Sequence, residues 1–516
     1  MNDDAATSTA RGDESRKELG RRIRRGTIAV GAAQIASQVV SVAALAFLFR
    51  RLGPEPFGLI GMATPALLLA RMLAGFGLQE SVVQAEGMDD EARDRVFRMN
   101  QLAGLAGMVL MLAAAPVLAW LFQSPSLLSV TAALAPTLPL MTLSSVHQGW
   151  WQRHLALAAL MKVRLIAQTC AAAAACFLAW WGAGVWSLVG QQWLELALLA
   201  VLIWWASDWR PRWRGPWWDA SQFRFGGWYT GAAFCFYWAQ NVDKWLLAGW
   251  LGATPAGRAA LGMYHQAFNL TLKPVHLVVS PASSVVLPAL ARLKRDRAAL
   301  ASLGRQVWWL LAAILAPAAV GLALVAEDIF WVLGGARWAS AATLLVALSP
   351  LVLAQGLINI SGSFFAAVGK TRSLFRGALA QAIALSVAAG AAVVWAQKND
   401  PTPVESAQWM ARAIGVTAAA GVALPYLFYC ARVASIDFRA FLVGLRPIVL
   451  SVLLMGLAVH AARSLTRPTL APSLRLVVMV VLGATVYGWL LRGWWADVRS
   501  WWREWESCGS ASRAEI

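Results

Sequence analysis

Residues 27–49, TIAVGAAQIASQVVSVAALAFLF, contain no charged side chain and follow a basic cluster that ends at Arg25. A helix of about 20 apolar residues crosses the roughly 30 Å hydrocarbon core of a bilayer. No small-residue cleavage site interrupts the stretch, so we interpret it as a retained membrane helix and not as a signal peptide. The polar residues before it, 1–25, are expected to form a basic cytoplasmic tail.

Apolar stretches of this kind recur to the end of the chain. Hydrophobic residues make up 59% of the 516 residues and charged residues only 14%, whereas soluble domains carry about 25% charged residues. The pattern predicts an all-α polytopic membrane protein with about 14 transmembrane helices. The predicted spans are residues 27–49, 57–79, 99–122, 127–147, 163–182, 184–206, 225–249, 260–287, 303–325, 340–359, 374–396, 406–431, 447–463 and 474–491.

The distribution of positive charge orients these spans. The net charge is +18, and Lys and Arg are about fourfold more numerous on the N-terminal side of the membrane than on the other side. This bias predicts cytoplasmic N- and C-termini, with residues 492–516 as an interfacial amphipathic tail rich in Trp and Arg. Because topology and contact with anionic lipids explain the basic character, we expect no nucleic-acid partner.

A faint internal repeat suggests how the spans are grouped. RLGPEPFGL at residues 51–59 follows the first span, and LGATP at 251–255 with LGMY at 261–264 follows the seventh. An even number of spans separates them, which predicts two parallel six-helix lobes around a central cavity. The predicted organisation is an N-terminal lobe 26–206, a cytoplasmic linker 207–224, a C-terminal lobe 225–433 and two extra helices in 434–491.

Several stretches between residues 30 and 440 share the order and spacing of a known family. They are Gln34 and Gln38, FRRLGPEPFG at 49–58, GFGL at 75–78, NVDKWLL at 241–247, LGMY at 261–264 and VLPALARL at 286–293. Together they resemble the polysaccharide-transport family of O-antigen and exopolysaccharide flippases, within the multidrug/oligosaccharidyl-lipid/polysaccharide exporter superfamily. The lengthened loop 253–260 departs from the usual pattern of that family.

The resemblance implies a transporter and not an enzyme. Its expected activity is movement of an undecaprenyl-diphosphate-linked oligosaccharide, as an O-antigen, capsule or exopolysaccharide repeat unit, across the bacterial cytoplasmic (inner) membrane by alternating access. The expected partners are this lipid-linked oligosaccharide, the membrane lipids and a polysaccharide polymerase complex. No bound cofactor is expected, and a proton gradient, a sodium gradient or the membrane potential would drive transport.

The eighth span contains the strongest candidate binding residues. Asn269, Lys273 and His276 follow one another at helical spacing on one face, and Pro274 and Pro281 are expected to interrupt the helix. A lysine near the middle of a membrane costs at least about 2.5–3.5 kcal/mol, so we expect Lys273 to line a hydrated cavity and bind the lipid diphosphate. The alternative is that it snorkels or pairs with a buried carboxylate.

Other charged and polar side chains within spans are weaker candidates. Arg71 and Lys244 could assist Lys273, although Arg71 could instead snorkel and Lys244 could form a local pair with Asp243. Glu195 and Asp243 are candidate coupling residues, although burial could simply keep Glu195 neutral. The remaining substrate-binding candidates are Gln34, Gln38 and Asn241.

Evidence for catalysis or a metal site is weak. GKT at 369–371 lacks the earlier glycine of a phosphate-binding loop, because position 364 is Phe364. The five His and five Cys residues show no metal-ligand spacing, so no metal is expected. A drug or lipid exporter of the same fold stays an alternative, as does a membrane-embedded glycan-processing enzyme, but a drug exporter would favour carboxylates for cationic substrates.

Overall fold

The computed structural model describes residues 31–75, 82, 88–154, 156–215, 227–293 and 296–494. Regular secondary structure in these ranges is helical, and they contain no β-strand. The predicted tail 1–25 and residues 495–516 lie outside the described residues. The chain divides into two compact units, Met1–Phe225 and Gly226–Ile516.

The first unit consists of seven described helices, and proline or a capping side chain marks several of their starts. Pro54 and Pro125 each occupy a first turn, where the missing amide N–H costs nothing. Asp89 accepts a hydrogen bond from the Ala92 amide at 2.8 Å and so caps the third helix. The helices are α1 (Gly31–Leu52), α2 (Pro54–Gly75), α3 (Asp90–Leu121), α4 (Pro125–Leu134), α5 (Thr137–Arg153), α6 (Leu157–Trp180) and α7 (Trp186–Trp205).

The second unit continues with helices of very different length. The longest described helix of this unit has 38 residues and is capped by the Thr254 hydroxyl. The helices are α8 (Gly227–Leu251), α9 (Pro255–Arg292), α10 (Arg297–Leu324), α11 (Ala326–Gly334), α12 (Ala341–Leu348), α13 (Pro350–Ala367), α14 (Thr371–Asn399), α15 (Pro403–Val416), α16 (Leu424–Ala434), α17 (Phe438–Gly444), α18 (Arg446–Thr466) and α19 (Pro472–Leu490).

Twelve helical segments of the described chain are long and apolar enough to cross a membrane. The predicted spans 225–249 and 260–287 are not among them, although both are helical, as α8 and α9. Asp243 and Lys244 in α8, and Lys273 in α9, make these helices more polar than the others. The predicted number of fourteen is therefore approximate, while the all-α polytopic architecture is confirmed.

Three predicted spans are not single regular helices. The span 340–359 is divided before Pro350 into α12 and α13. The span 127–147 is divided at Pro136 into α4 and α5, because proline cannot donate a helical hydrogen bond. The span 406–431 contains a π-helical segment, Thr417–Ala423, between α15 and α16. Pro425, just beyond that segment, likewise lacks an amide donor, and irregular helical turns occur where the hydrogen-bond ladder is interrupted.

The C-terminal helices α18 and α19 belong to the second compact unit. Their side chains share an apolar core with α10, and Tyr487 donates a hydrogen bond to the Ala313 carbonyl at 2.7 Å. At one end of this core the fully buried Asp328 of α11 accepts hydrogen bonds from Arg475 and, at 3.2 Å, from Arg463. A buried carboxylate is stable when it is paired in this way, so the cluster fixes the two helices on the unit.

Candidate functional site

In the first unit, the structure brings together two candidates that are far apart in sequence. Arg71 of α2 donates from Nη2 to the Gln192 side-chain oxygen of α7 at 3.3 Å, and its Nε has no hydrogen-bond partner. Glu195, one turn further along α7, interacts electrostatically with Arg71. Both charged groups are half-buried. Gln192 is a contact that sequence reasoning missed.

The polar face of α1 is only partly engaged with its neighbours. Ser37 donates to the Gln168 side-chain oxygen of α6 at 2.5 Å, and the Gln168 amide donates to the Ser41 hydroxyl at 2.6 Å. Gln34 is exposed and Gln38 is half-buried, and neither makes a hydrogen bond to a described residue. The two predicted glutamines are therefore available for a ligand, while the serines serve helix packing.

In the second unit, Lys244 lies in a buried network between α8 and α9. Its ammonium group is 3.3 Å from Asp243 Oδ1 and lies 3.4 Å from the centre of the Phe268 ring. The Tyr264 hydroxyl donates to Asp243 Oδ2 at 2.5 Å. The side chains of Lys244 and Asp243 are only 7% and 1% exposed. This geometry agrees with the local-pair interpretation and gives Lys244 little access to a ligand.

Asn241, two residues before Asp243, is also engaged. Its amide donates to the Tyr237 carbonyl at 2.8 Å, and the residue is buried. Tyr264 was overlooked as a functional residue, although it lies in the LGMY stretch that contributes to the family resemblance. A hydrogen bond between a tyrosine hydroxyl and a carboxylate on another helix leaves no pattern in the local sequence, so the sequence could not predict it.

Lys273 occupies a different environment near the middle of α9. It is half-buried and makes no hydrogen bond or ion pair with a described residue. Asn269 and His276, on the turns before and after it, are exposed. Because polar side chains avoid the hydrocarbon core, an exposed polar face on a membrane helix indicates a hydrated surface.

The expected interruption of this helix is wrong. α9 runs without a break through Pro274 and Pro281. Each proline removes one amide donor, and neighbouring turns in a long helix tolerate that loss through local adjustment. The lysine is therefore presented by a continuous helix and not by a break in one.

Residues 47–343 match the family described as polysaccharide biosynthesis protein. The chain belongs to this family. The chain is also 24% identical over 420 residues to the succinoglycan biosynthesis transport protein ExoT of Rhizobium meliloti, covering 80% of this chain and 81% of that protein. It is 22% identical over 336 residues to the lipopolysaccharide biosynthesis protein WzxC of Escherichia coli, covering 64% and 66%. The predicted family resemblance is confirmed.

Solved structures with the same fold include transporters of two further kinds. The lipid II flippase MurJ, in an inward closed conformation, aligns with a TM-score of 0.67 at 13% identity and covers 91% of this chain and 99% of its own. An inward-facing multidrug resistance MATE transporter aligns with a TM-score of 0.59 at 13% identity, covering 77% and 95%. At this level of identity the likeness establishes the fold of this polysaccharide biosynthesis protein and nothing more.

Metal-binding side chains are scattered in this family member. The described residues include no group of three His, Cys, Asp or Glu side chains that could hold a metal ion.

Of the charged groups within its spans, Arg71 and Lys244 have protein partners, whereas Lys273 has none among the described residues. The arrangement is thus suited to binding an anion at Lys273.

Proposed function

We propose that this protein is a flippase that moves lipid-linked oligosaccharide across the bacterial cytoplasmic membrane by alternating access. The family, and relatives named for transport in succinoglycan biosynthesis and for lipopolysaccharide biosynthesis, support this proposal. The substrate class is an undecaprenyl-diphosphate-linked repeat unit, and the protein acts as a transporter and not as an enzyme. A polysaccharide polymerase complex would receive the product.

One observation supports an anionic headgroup most directly: Lys273 of α9 has no hydrogen-bond or ion-pair partner in the described part of the chain. An ammonium group within a membrane is costly unless water or an opposite charge compensates it. A diphosphate that leaves the aqueous surface has the complementary problem, because it must exchange water and counterions for fixed positive charge. Binding of the diphosphate at Lys273 resolves both costs at once.

Arg71 is the second candidate contact for the substrate. Its single hydrogen bond to Gln192 is long at 3.3 Å, and its unpartnered Nε could join an incoming phosphate oxygen. Glu195 competes for the same guanidinium electrostatically. We therefore assign Glu195 as the coupling candidate, whose protonation would free Arg71 for the substrate. Asp243 is a poorer coupling candidate because Lys244 and Tyr264 already hold it.

The driving force follows from the charge of the substrate. About 2.3 kcal/mol is gained for each negative charge that moves outward across 100 mV, inside negative. A diphosphate with roughly two charges would therefore be helped outward by the membrane potential without ATP. A proton or sodium gradient acting at Glu195 would add to this.

A drug exporter of the same fold is the second candidate. It would need an accessible carboxylate for a cationic substrate. The two predicted carboxylates, Glu195 and Asp243, both face a positive charge in the structure. This observation favours the flippase.

The test is deletion of the gene followed by location of the lipid-linked glycan. We expect the glycan to accumulate in the cytoplasmic leaflet, where an added periplasmic glycosidase cannot reach it, and the wild-type gene to restore access. Lys273→Met, inserted at normal abundance, should fail to restore it. Normal glycan export in the deletion strain would contradict the flippase, and normal export by the methionine variant would contradict only the role of Lys273.

A further inference from the structure

A cavity of about 460 Å³ lies within the first unit, away from Arg71 and Glu195. The start of α3, the end of α5 and the segment after α7 form its walls. The lining side chains used here are Arg93, His147, Trp150, Ser207 and Trp209. Asp90, His154 and Asp208 at its margin are exposed, so the cavity opens to solvent.

His147 is the polar group in this cavity whose burial is hardest to explain. It is 2% exposed, and neither ring nitrogen has a hydrogen-bond partner among the residues that the structure describes. The carbonyls of Leu143 and Trp209 are near it but lie outside hydrogen-bond geometry, and the Leu143 carbonyl already accepts from Trp204 at 2.8 Å. A buried imidazole without partners costs free energy, and such groups in native proteins call for a ligand or ordered water.

Two other unpartnered polar atoms share the cavity with His147. The guanidinium of Arg93 is held 3.8 Å from the Trp150 ring centre and 4.8 Å from that of Trp209, yet its buried Nε has no partner. The Ser207 hydroxyl, on a residue that is 9% exposed, also has none. Aromatic packing fixes these groups before any ligand arrives, which is the arrangement of a preformed site.

The charge of the walls selects the class of ligand. The negative charges of Asp90, which pairs with Arg93, and of Asp208 at the margin offset the positive charges of Arg93 and of Arg210 near His147, so an anion gains little here. Imidazole and hydroxyl groups each offer a donor and an acceptor, which matches a ligand rich in hydroxyl groups. Indole walls suit a ligand with an apolar ring face.

We infer that this cavity is a recognition site for a neutral sugar ring, separate from the diphosphate site at Lys273. In the predicted topology its walls lie on the cytoplasmic side, where a lipid-linked glycan would be presented. This inference rests on the proposed function, in which the cavity would select the glycan before translocation. A volume of 460 Å³ accommodates a single pyranose ring with bridging water.

The experiment measures sugar binding directly on the purified full-length protein in lipid nanodiscs. Saturation-transfer NMR is recorded with three neutral probes, the methyl glycosides of glucose, galactose and mannose, and inorganic phosphate is added as a competitor. Wild type is compared with His147→Phe and Ser207→Ala. Ser187→Ala is the matched control, because the hydroxyl of Ser187, a buried residue in the first turn of α7, likewise has no partner among the described residues but does not line the cavity.

We expect saturation transfer to at least one glycoside, reduced about tenfold by His147→Phe or Ser207→Ala, unchanged in Ser187→Ala and insensitive to phosphate. No transfer to any glycoside in wild type would overturn the sugar site, as would equal signals in the cavity variants and the control. Displacement by phosphate would also overturn it, since the site would then be anionic. This result is separate from failure of the proposed flippase, because the sugar site is tested by binding to the purified protein and the flippase by glycan export in the deletion strain.

Discussion

Lys244 and Lys273 lie in adjacent helices of the same unit, and their surroundings differ in every respect that matters for function. Lys244 is buried against Asp243 and Phe268, with Tyr264 completing the carboxylate's hydrogen bonds. Lys273 is half-buried without a partner among the described side chains. The first lysine is thus part of the protein's internal structure, and the second has charge left for a ligand.

The contrast shows why a charge within a membrane helix does not by itself identify a binding site. A buried pair compensates its own desolvation, and breaking one partner leaves an isolated charge at high cost. An unpaired cation costs the protein stability at all times, unless water or substrate compensates it. Removing the Lys244 charge should therefore lower stability and leave transport unchanged. Removing the Lys273 charge should lower transport and leave stability unchanged.

The largest effect is expected for Asp243→Asn. The substitution keeps the shape of the side chain but leaves Lys244 buried without a counterion, which should cost about 3–5 kcal/mol of unfolding free energy. Thermal unfolding of the purified protein in detergent measures this. The double variant Asp243→Asn with Lys244→Met removes both charges and should recover most of the loss. If the double variant is as unstable as the single one, the pair is not what stabilises α8 against α9.

A crossed comparison of Lys244→Met and Lys273→Met comes next in size. Lys273→Met should lower export about 10- to 150-fold, the equivalent of one lost hydrogen bond to a charged group, without lowering the unfolding temperature. Lys244→Met should lower the unfolding temperature while export per folded molecule stays near the wild-type value. Export is measured as periplasmic glycan normalised to membrane-inserted protein. Equal effects of both substitutions on both quantities would remove the distinction between the two lysines.

Sequence reasoning predicted the features of the fold that depend on the pattern of neighbouring residues. The apolar runs of α2, α6 and α7 specify spans because length and hydropathy are properties of neighbouring residues. Partner choice depends on residues that only the fold brings together, such as Arg475 with Asp328, which are 147 positions apart. The segment 326–339, which lies between two predicted spans, therefore contained a buried carboxylate that the sequence pattern did not reveal.

The same limit applies to the candidate sites. Lys273 was recognised from sequence as a charged residue near the middle of a predicted span, but the sequence could not show that Lys244 has a partner and Lys273 lacks one among the described residues. The cavity around His147 was not predicted at all, since its walls come from three helix ends that are distant in sequence. Isolated histidines give no pattern from which such a cavity could be read.

Tyr264→Phe should have a smaller effect on the Lys244 side of the comparison. It removes the hydroxyl that donates to Asp243 but leaves the ion pair, so we expect a loss of about 1.5 kcal/mol. Tyr237→Phe is the matched control, because the Tyr237 hydroxyl accepts a neutral hydrogen bond from Trp245 at 3.2 Å, worth about 0.5–1 kcal/mol. Urea unfolding of both variants gives the difference. A larger loss in the Tyr237 variant would contradict the role assigned to Tyr264.

The smallest effect is expected for Lys273→Arg, which keeps the charge and changes only its shape. A guanidinium binds phosphate oxygens through a planar fork, whereas an ammonium acts as a compact point charge, so the diphosphate should still bind but in a shifted position. We expect export to fall about two- to fivefold, well short of the loss in the methionine variant, with unchanged stability. The comparison is made in the same export assay at several membrane potentials set with an ionophore. If the arginine variant is as inactive as the methionine variant, the ammonium donates to a neutral group whose geometry is strict. The charge of the substrate would then play no part in recognition at this site.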